Sequence, residues 1–246
     1  MIKVITLITQ FIIVALTALL FGSCNQLGEI NAITGSGHVT TEKRTVTGDF
    51  KNVEVSNALD LVIEQSDKTE IIVEADDNLQ KEITTKVENG VLVISCKFGN
   101  YINVSSKKIT VKMPVIEGIE ASSASSVNSN TILKGSNLTL ESSSAANINL
   151  TAEYESVQLT GSSASNQTIK GKALHIEVSA SSASVINTTD LMANEVVANS
   201  SSGGSITAHP IVNLKAEASS GGNITYNGTP KSIQKEENSG GSIRQE

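Results

Sequence analysis

"SSSGGSI" at Ser200–Ile206, "SSGGNI" at Ser219–Ile224 and "SGGSI" at Ser239–Ile243 write one small-residue phrase three times, about twenty residues apart. A single copy would pass for a flexible linker, but evenly spaced copies need a structural cause. Four earlier copies carry Ala where these carry their first Gly. Taking that small residue as an anchor gives Ala124, Ala145, Ala164, Ala183, Gly203, Gly221 and Gly240, at intervals of 21, 19, 19, 20, 18 and 19 residues. Self-similarity at such a period marks a repeat architecture.

Aligned on the anchor, the columns become legible. Seven positions before it stand Leu138, Val157, Ile176, Val196, Leu214 and Ile233; five before it, Ile119, Leu140, Leu159, Val178, Ala198 and Ala216. Three after it stand Val127, Ile148, Ile186, Ile206, Ile224 and Ile243, with Gln167 as the one polar exception. These share a parity, so in a strand they face one side, while Thr139, Glu141, Gln158, Thr160, Glu177 and Lys215 face the other. Period-two alternation rich in Ser, Thr, Asn and Gly argues against helices. Stacked hairpins would bury the same parity but seldom keep so constant a spacing.

The reading is an all-β, single-domain, right-handed β-helix (a β-solenoid). It has about seven regular C-terminal coils of roughly 19 residues over 116–246 and an irregular β-rich part over 45–115. Handedness is taken from the general preference of β crossovers. At about 3.3 Å per residue and about 4.8 Å per rung, each coil is a path of roughly 60 Å and the rod is roughly 30–35 Å long.

The residue before each anchor is always serine: Ser123, Ser144, Ser163, Ser182, Ser202, Ser220 and Ser239. Parity points this column inward, as a ladder of small hydroxyls at a corner too narrow for larger side chains. Gly takes the anchor in the last three coils because the corner there needs positive φ. Lys235, Glu237 and Gln245 fall in inward columns of the final coil, which suits a polar terminal cap.

Ahead of the repeats, "FKNVEVSNALDLVIEQ" puts Val53, Val55, Leu61 and Ile63 on one parity. "ITTKVENGVLVISC" reads as two strands joined at Asn89-Gly90, a hairpin signal, and "KKITVKMP" alternates through Ile109, Val111 and Met113. Residues 24–44 lack periodicity and read as a tether. Residues 1–23, "MIKVITLITQFIIVALTALLFGS", read as a secretory signal peptide, with an uncleaved membrane helix as the rival. "LLFGSC" resembles a bacterial lipobox with Phe21 in place of the preferred Leu, which makes Cys24 the lipidation site. Acyl chains there would hold the protein to a membrane surface. The expected location is the cell envelope, as an outer-membrane lipoprotein. Cys96, left without a partner, reads as a buried inert thiol.

The combination of "VTGDFKNVEVSNALDLVIEQ", the string of "SSA" and "SSGG" coils and the closing "GGNITYNGTPKSIQKEENSGGSI" resembles the auto-transporter adhesin "head GIN domain" family of Bacteroidota envelope proteins. The resemblance covers Thr45 to Ile243, with Ala anchors where the family phrase is richer in Gly. It implies a β-helical domain on secreted or lipid-anchored proteins and a role in adhesion.

Chemistry is sparse by comparison. A formal net charge of −7 without a basic cluster speaks against a nucleic-acid partner. His38, His175 and His209 lack metal-ligand spacing with Cys or carboxylates. No serine lies in a G-x-S-x-G elbow. Glu120, Glu141, Glu217 and Glu236 share one column but are interrupted by Thr160, Ser179 and Asn199, with Lys170, Lys172 and Lys215 scattered nearby. That falls short of the clustered carboxylates and bases of a glycosidase or lyase. Asp76-Asp77 could chelate calcium or merely solubilise. We therefore assign no catalytic residue, metal or cofactor.

One outward array remains, two and four residues after the anchor. It comprises Asn128, Asn147, Asn149, Asn166, Thr168, Asn187, Ser205, Thr207, Asn223 and Thr225, a candidate face for a glycan or another envelope protein. Three functional readings follow: a non-enzymatic adhesion or binding module, a structural spacer or assembly partner, and a polysaccharide-active enzyme.

Overall fold

In the computed structural model residues 32–246 are described; the segment 1–23 and Cys24 lie outside them. Nine strands precede the regular repeats: β1 (Ala32–Thr34), β2 (Val39–Arg44), β3 (Asn52–Val55), β4 (Asp60–Gln65), β5 (Glu70–Asp76), β6 (Ile83–Glu88), β7 (Val91–Cys96), β8 (Asn100–Ile102) and β9 (Lys107–Met113). Nine follow: β10 (Gly118–Ala121), β11 (Ser126–Ser142), β12 (Asn147–Gly161), β13 (Asn166–Ala180), β14 (Val185–Ser200), β15 (Ser205–Ala218), β16 (Asn223–Tyr226), β17 (Ser232–Glu237) and β18 (Ser242–Gln245).

The fold is a β-solenoid. From β10 onward every strand pairs in parallel with the matching segment of a neighbouring coil, so equivalent residues stack. Leu138, Val157, Ile176, Val196 and Leu214 form one such buried row. Fully burying a side chain of this kind contributes about 1.5–3 kcal/mol, so the stacked rows are the main source of cohesion. Unequal coil lengths are absorbed away from the anchors, as register shifts between Asn128 and Ile132, Thr168 and Gly171, and Thr188 and Met192. Extra residues bulge there while the corner geometry stays fixed.

Each corner is a two-residue reversal with both φ angles positive, as in a type I′ turn. Ser123 and Ala124 have φ of 52° and 60°, and the amide of Ser125 donates to Ser122 O at 3.1 Å. Every anchor repeats this, Ala as well as Gly, so positive φ is not confined to the last three coils. A left-handed Ser or Ala costs roughly 1–2 kcal/mol. Bonds between rungs offset it: Ala124 N to Ser144 O (2.9 Å), Ala145 N to Ser163 O (3.0 Å), Ala164 N to Ser182 O (3.0 Å).

The same turn corrects the side-chain direction of the serine column. Ser123, Ser144, Ser163, Ser182, Ser202, Ser220 and Ser239 are exposed at the tips rather than pointing inward. Two left-handed residues swing the chain around, so parity is kept across the corner while the tip pair itself is extruded. The inner seam comprises the residues flanking that reversal. On one side are Ala121, Ser142, Gly161, Ala180, Ser200 and Ala218; on the other, Ser125, Ala146, Ser165, Ser184, Gly204 and Gly222, all buried. Small buried hydroxyls do line the corner, two residues away from where parity alone put them. Ser142 Oγ donates to Ser165 Oγ at 2.8 Å, and Gln167 Nε2 donates to Ser142 Oγ at 2.9 Å. Gln167, the polar exception of its column, is thereby held inside.

The N-terminal part is more regular than its spacing suggests. β3 and β4 form a coil of their own around a corner at Asn57-Ala58, with φ of 60° and 54°, and Ala58 N donates to Ser123 O at 2.8 Å. β3 pairs in parallel with β10 and β4 with β11; on the far side β7 pairs with β3 and β9 with β4. Stacking order therefore departs from chain order. The chain leaves the first coil through β5 and β6, antiparallel to β9 and β7, turns at Asn89-Gly90, and lays the next coil on the outside. It then returns to the inner side as β10. β2, within the stretch read as a tether, pairs antiparallel with β5, so the ordered domain begins before Thr45. The segment is charged and mostly exposed, without inward apolar alternation, and backbone pairing decides its structure.

Asp76 closes this end. Its side chain is fully buried, and its carboxylate accepts from the amides of Gly37, Ser105 and Ser106, each at 2.9 Å. Burial alone would raise its carboxyl; the amides of Ser106, Gly37 and Ser105 outweigh that and hold it below the usual range. It is a structural clasp, neither a solubilising surface acid nor half of a calcium pair. Cys96 is buried as expected. At the other end all six residues of β17 are exposed, Lys235 and Glu237 sit in register with buried Ala216 and Ala218, and Lys235 Nζ lies 4.6 Å over the Tyr226 ring.

Candidate binding face

Two outward walls flank the corner. On the wall after it, parallel register brings the polar array together: Ser126 faces Asn147, then Asn166, Val185, Ser205 and Asn223. Beside that row Asn128 faces Asn149, then Thr168, Asn187, Thr207 and Thr225. Rungs are about 4.8 Å apart and the two rows about 7 Å apart, so the wall is a two-column lattice. All ten candidate residues lie on it, exposed or half-buried. Val185, 42% exposed, is an apolar interruption in the first row.

The amides of this wall are partly engaged with one another and with the turn. Asn166 Nδ2 donates to Asn147 Oδ1 at 3.3 Å, Asn128 Nδ2 to Ser126 Oγ at 3.3 Å, and Asn223 Nδ2 to Gly221 O at 3.2 Å. Asn187 Oδ1 accepts from Thr189 N at 3.0 Å. These bonds fix side-chain orientation; Asn147 also donates its Nδ2 to Ala145 O at 3.4 Å, while Asn128, Asn166, Asn187 and Asn223 each keep one polar amide atom for a partner.

The wall before the corner reads differently. Glu54, Glu120 and Glu141 occupy three successive rungs, followed by Thr160, Ser179, Asn199, Glu217 and Glu236. Burial, then the charges of Glu54 and Glu141, raise the carboxyl of Glu120. Over the three uncharged rungs the outward side chains are short, and the surface sinks into a hollow of about 310 Å³. Sequence reasoning treated those residues only as breaks in an acidic row. The available signal was their size, small residues between long ones in one column. Of the histidines, His175 stands 3.4 Å from Glu195 across a rung and His209 Nδ1 lies 3.1 Å from Thr189 O. Neither joins a wider cluster.

The fold recurs among solved structures. A protein from Bacteroides fragilis described as a "putative adhesin" superposes with a TM-score of 0.79 at 22% identity, covering 87% of this chain and 100% of its own. One from Parabacteroides merdae gives 0.67 at 20% identity, over 87% and 99%. A protein from Parabacteroides distasonis described as a "Putative lipid binding protein" gives 0.67 at 21% identity, over 88% and 100%. No curated protein sequence matches the chain. Residues 49–230, well over half of its length, match the family described as "Putative auto-transporter adhesin, head GIN domain", and the chain belongs to that family.

Proposed function

We propose that the protein is a non-enzymatic binding module of the cell envelope, carried on a lipid anchor at Cys24, and that the wall after the corner is its contact surface. The observation that carries this reading is the lattice itself. Six successive coils hold Asn, Ser or Thr outward in register over two rows, interrupted once by Val185, and the amide bonds hold several of them in place. A rigid polar lattice suits a partner that is itself repetitive, since each rung repeats the same small contact and weak contacts add along the rod. Membership in an adhesin-like family supports the same role. The lack of aromatic faces on this wall argues for many shallow hydrogen bonds over one deep pocket.

The test is capture of envelope polysaccharide and envelope protein from a bacterial surface fraction by the full chain. A variant replacing Asn149, Thr168, Asn187 and Thr207 with Lys should lose capture while keeping its β-sheet circular dichroism. Undiminished capture by the folded variant would remove this wall from the account.

A further inference from the structure

The hollow on the opposite wall stands apart from the polar lattice. Its floor and rim come from one outward column, Thr160, Ser179, Asn199 and Glu217, and from Ser181 and Ser201 at the approach to the corner. Stacked register places the four column residues on consecutive rungs, so their side chains stand side by side along about 15 Å of the rod. The decisive feature is what they lack. Among the described residues none of these six side chains makes a hydrogen bond to the protein, whereas on the other wall the amides of Asn128, Asn147, Asn166, Asn187 and Asn223 are engaged. Concavity and unspent hydrogen-bonding capacity coincide here.

We infer that this hollow binds a neutral sugar unit, as part of a glycan lying across the coils. The chemistry selects the class. Hydroxyls donate and accept, the Asn199 amide does both, and the Glu217 carboxylate accepts strongly, which complements a ring of vicinal hydroxyl groups. The lining lacks an aromatic or large apolar side chain, so a hydrophobic ligand would gain little. Glu141 lies one rung beyond Thr160 and Glu236 one rung beyond Glu217, so carboxylates guard both ends and repel anionic sugars. At about 310 Å³ the hollow lies at the lower end of the range for small-ligand sites, room for one residue of a chain. The site stands independently of the wall lattice.

The experiment uses the full chain in a sugar-free detergent, titrated with the methyl glycosides of glucose, galactose, mannose and N-acetylglucosamine and with glucuronate. Binding is read by ligand-observed saturation transfer and by backbone amide shifts. At least one neutral glycoside should saturate, moving the amides of Ser181 and Asn199, and glucuronate should bind at least tenfold more weakly. Asn199→Tyr fills the hollow and should abolish binding. Glu217→Gln keeps the shape, removes the charged acceptor and should weaken binding about tenfold. The four-lysine variant of the other wall should bind the glycoside as the parent does, which separates this site from that reading. Absence of saturation by any neutral glycoside, equal binding of glucuronate, or unaltered affinity in both hollow variants would overturn the inference.

Discussion

In the coils anchored by Ala124, Ala164 and Ala183 the residue after the anchor is serine, and its hydroxyl reaches the preceding coil. Ser125 donates to Val55 O (3.2 Å), Ser165 to Ser142 O (3.0 Å) and Ser184 to Gly161 O (2.8 Å). In the coils anchored by Gly203, Gly221 and Gly240 the same place holds Gly204, Gly222 and Gly241. There the backbone itself closes on the equivalent carbonyl. A Cβ on Gly204 would lie 2.5 Å from Ala180 O, and one on Gly222 or Gly241 would come closer still to Ser200 O or Ala218 O. One carbonyl column is thus met by a hydroxyl at three of the four corners from Ala124 to Ala183, Ala146 being the exception, and by bare backbone at the three glycine corners. A corner can stand off and bridge with a side chain, or come in and dispense with one. The change from "SSAS" to "SSGG" records which solution each coil uses.

The sharpest way to break this contrast is to put a methyl where the backbone has come in. Gly204→Ala should destabilise by about 3 kcal/mol, because the clash is with a carbonyl fixed in the ladder rather than with a movable side chain. The urea midpoint should fall with an unchanged slope. A loss below 1 kcal/mol would mean that the two kinds of corner are interchangeable.

Neither corner contains an ionisable group, so acid sensitivity should separate the N-terminal end from the rest. The Asp76 carboxyl is held low by three amides, so its contribution is complete above the unfolded-state value near 3.9 and disappears as pH falls toward the folded value. Asp76→Asn should cost about 2 kcal/mol at neutral pH, since an amide offers those donors only one acceptor oxygen. It should also flatten the fall of stability below about pH 4, whereas Gly204→Ala should lower the curve evenly. Parallel acid limbs for parent and Asp76→Asn would show that Asp76 is not the group responsible.

Next in size is the loss of a hydroxyl bridge. Ser165→Ala removes the bond to Ser142 O and leaves the Ser142 hydroxyl without its acceptor, at a cost of about 1–2 kcal/mol by thermal or urea unfolding. Ala146→Ser, which offers a hydroxyl at the one early corner that lacks it, should be near neutral. If Ser165→Ala proves as damaging as Gly204→Ala, the hydroxyl is filling space rather than bridging.

Much of this was legible before any coordinates. The anchor intervals fixed the coils, and the Leu, Val and Ile columns fixed their inner face, because stacking forces like onto like. What parity could not supply was the corner. Alternation assumes extended backbone, and two successive left-handed residues suspend it, which turned Ser123 and its equivalents outward. Asn57-Ala58 carried the same signal but was hidden, since 66 residues separate Ala58 from Ala124 and Asn replaces the serine. The polar wall was readable as two columns at fixed offsets. The hollow was not, because concavity arises from the relative lengths of Thr160, Ser179 and Asn199 beside Glu141 and Glu217, a property of neighbours in space.

The smallest expected effect isolates the left-handed backbone from its packing. Gly203 has φ of 73°, and a Cβ built on it meets nothing within 4 Å, although the next residue along is Gly204 with its clash. Gly203→Ala therefore tests strain alone, and Ala183, at φ 60° in the preceding coil, shows that alanine can occupy the position. Left-handed alanine costs roughly 1–2 kcal/mol, and the narrower unfolded ensemble returns about 0.4–1, so the net loss should be about 1 kcal/mol or less. Ala183→Gly should gain by a similar amount. Two adjacent glycines would then differ about threefold in their intolerance of the same methyl group. Equal losses at Gly203 and Gly204 would locate the cost of the glycine corner in conformation throughout, and the close approach to Ala180 O would have no energetic part in it.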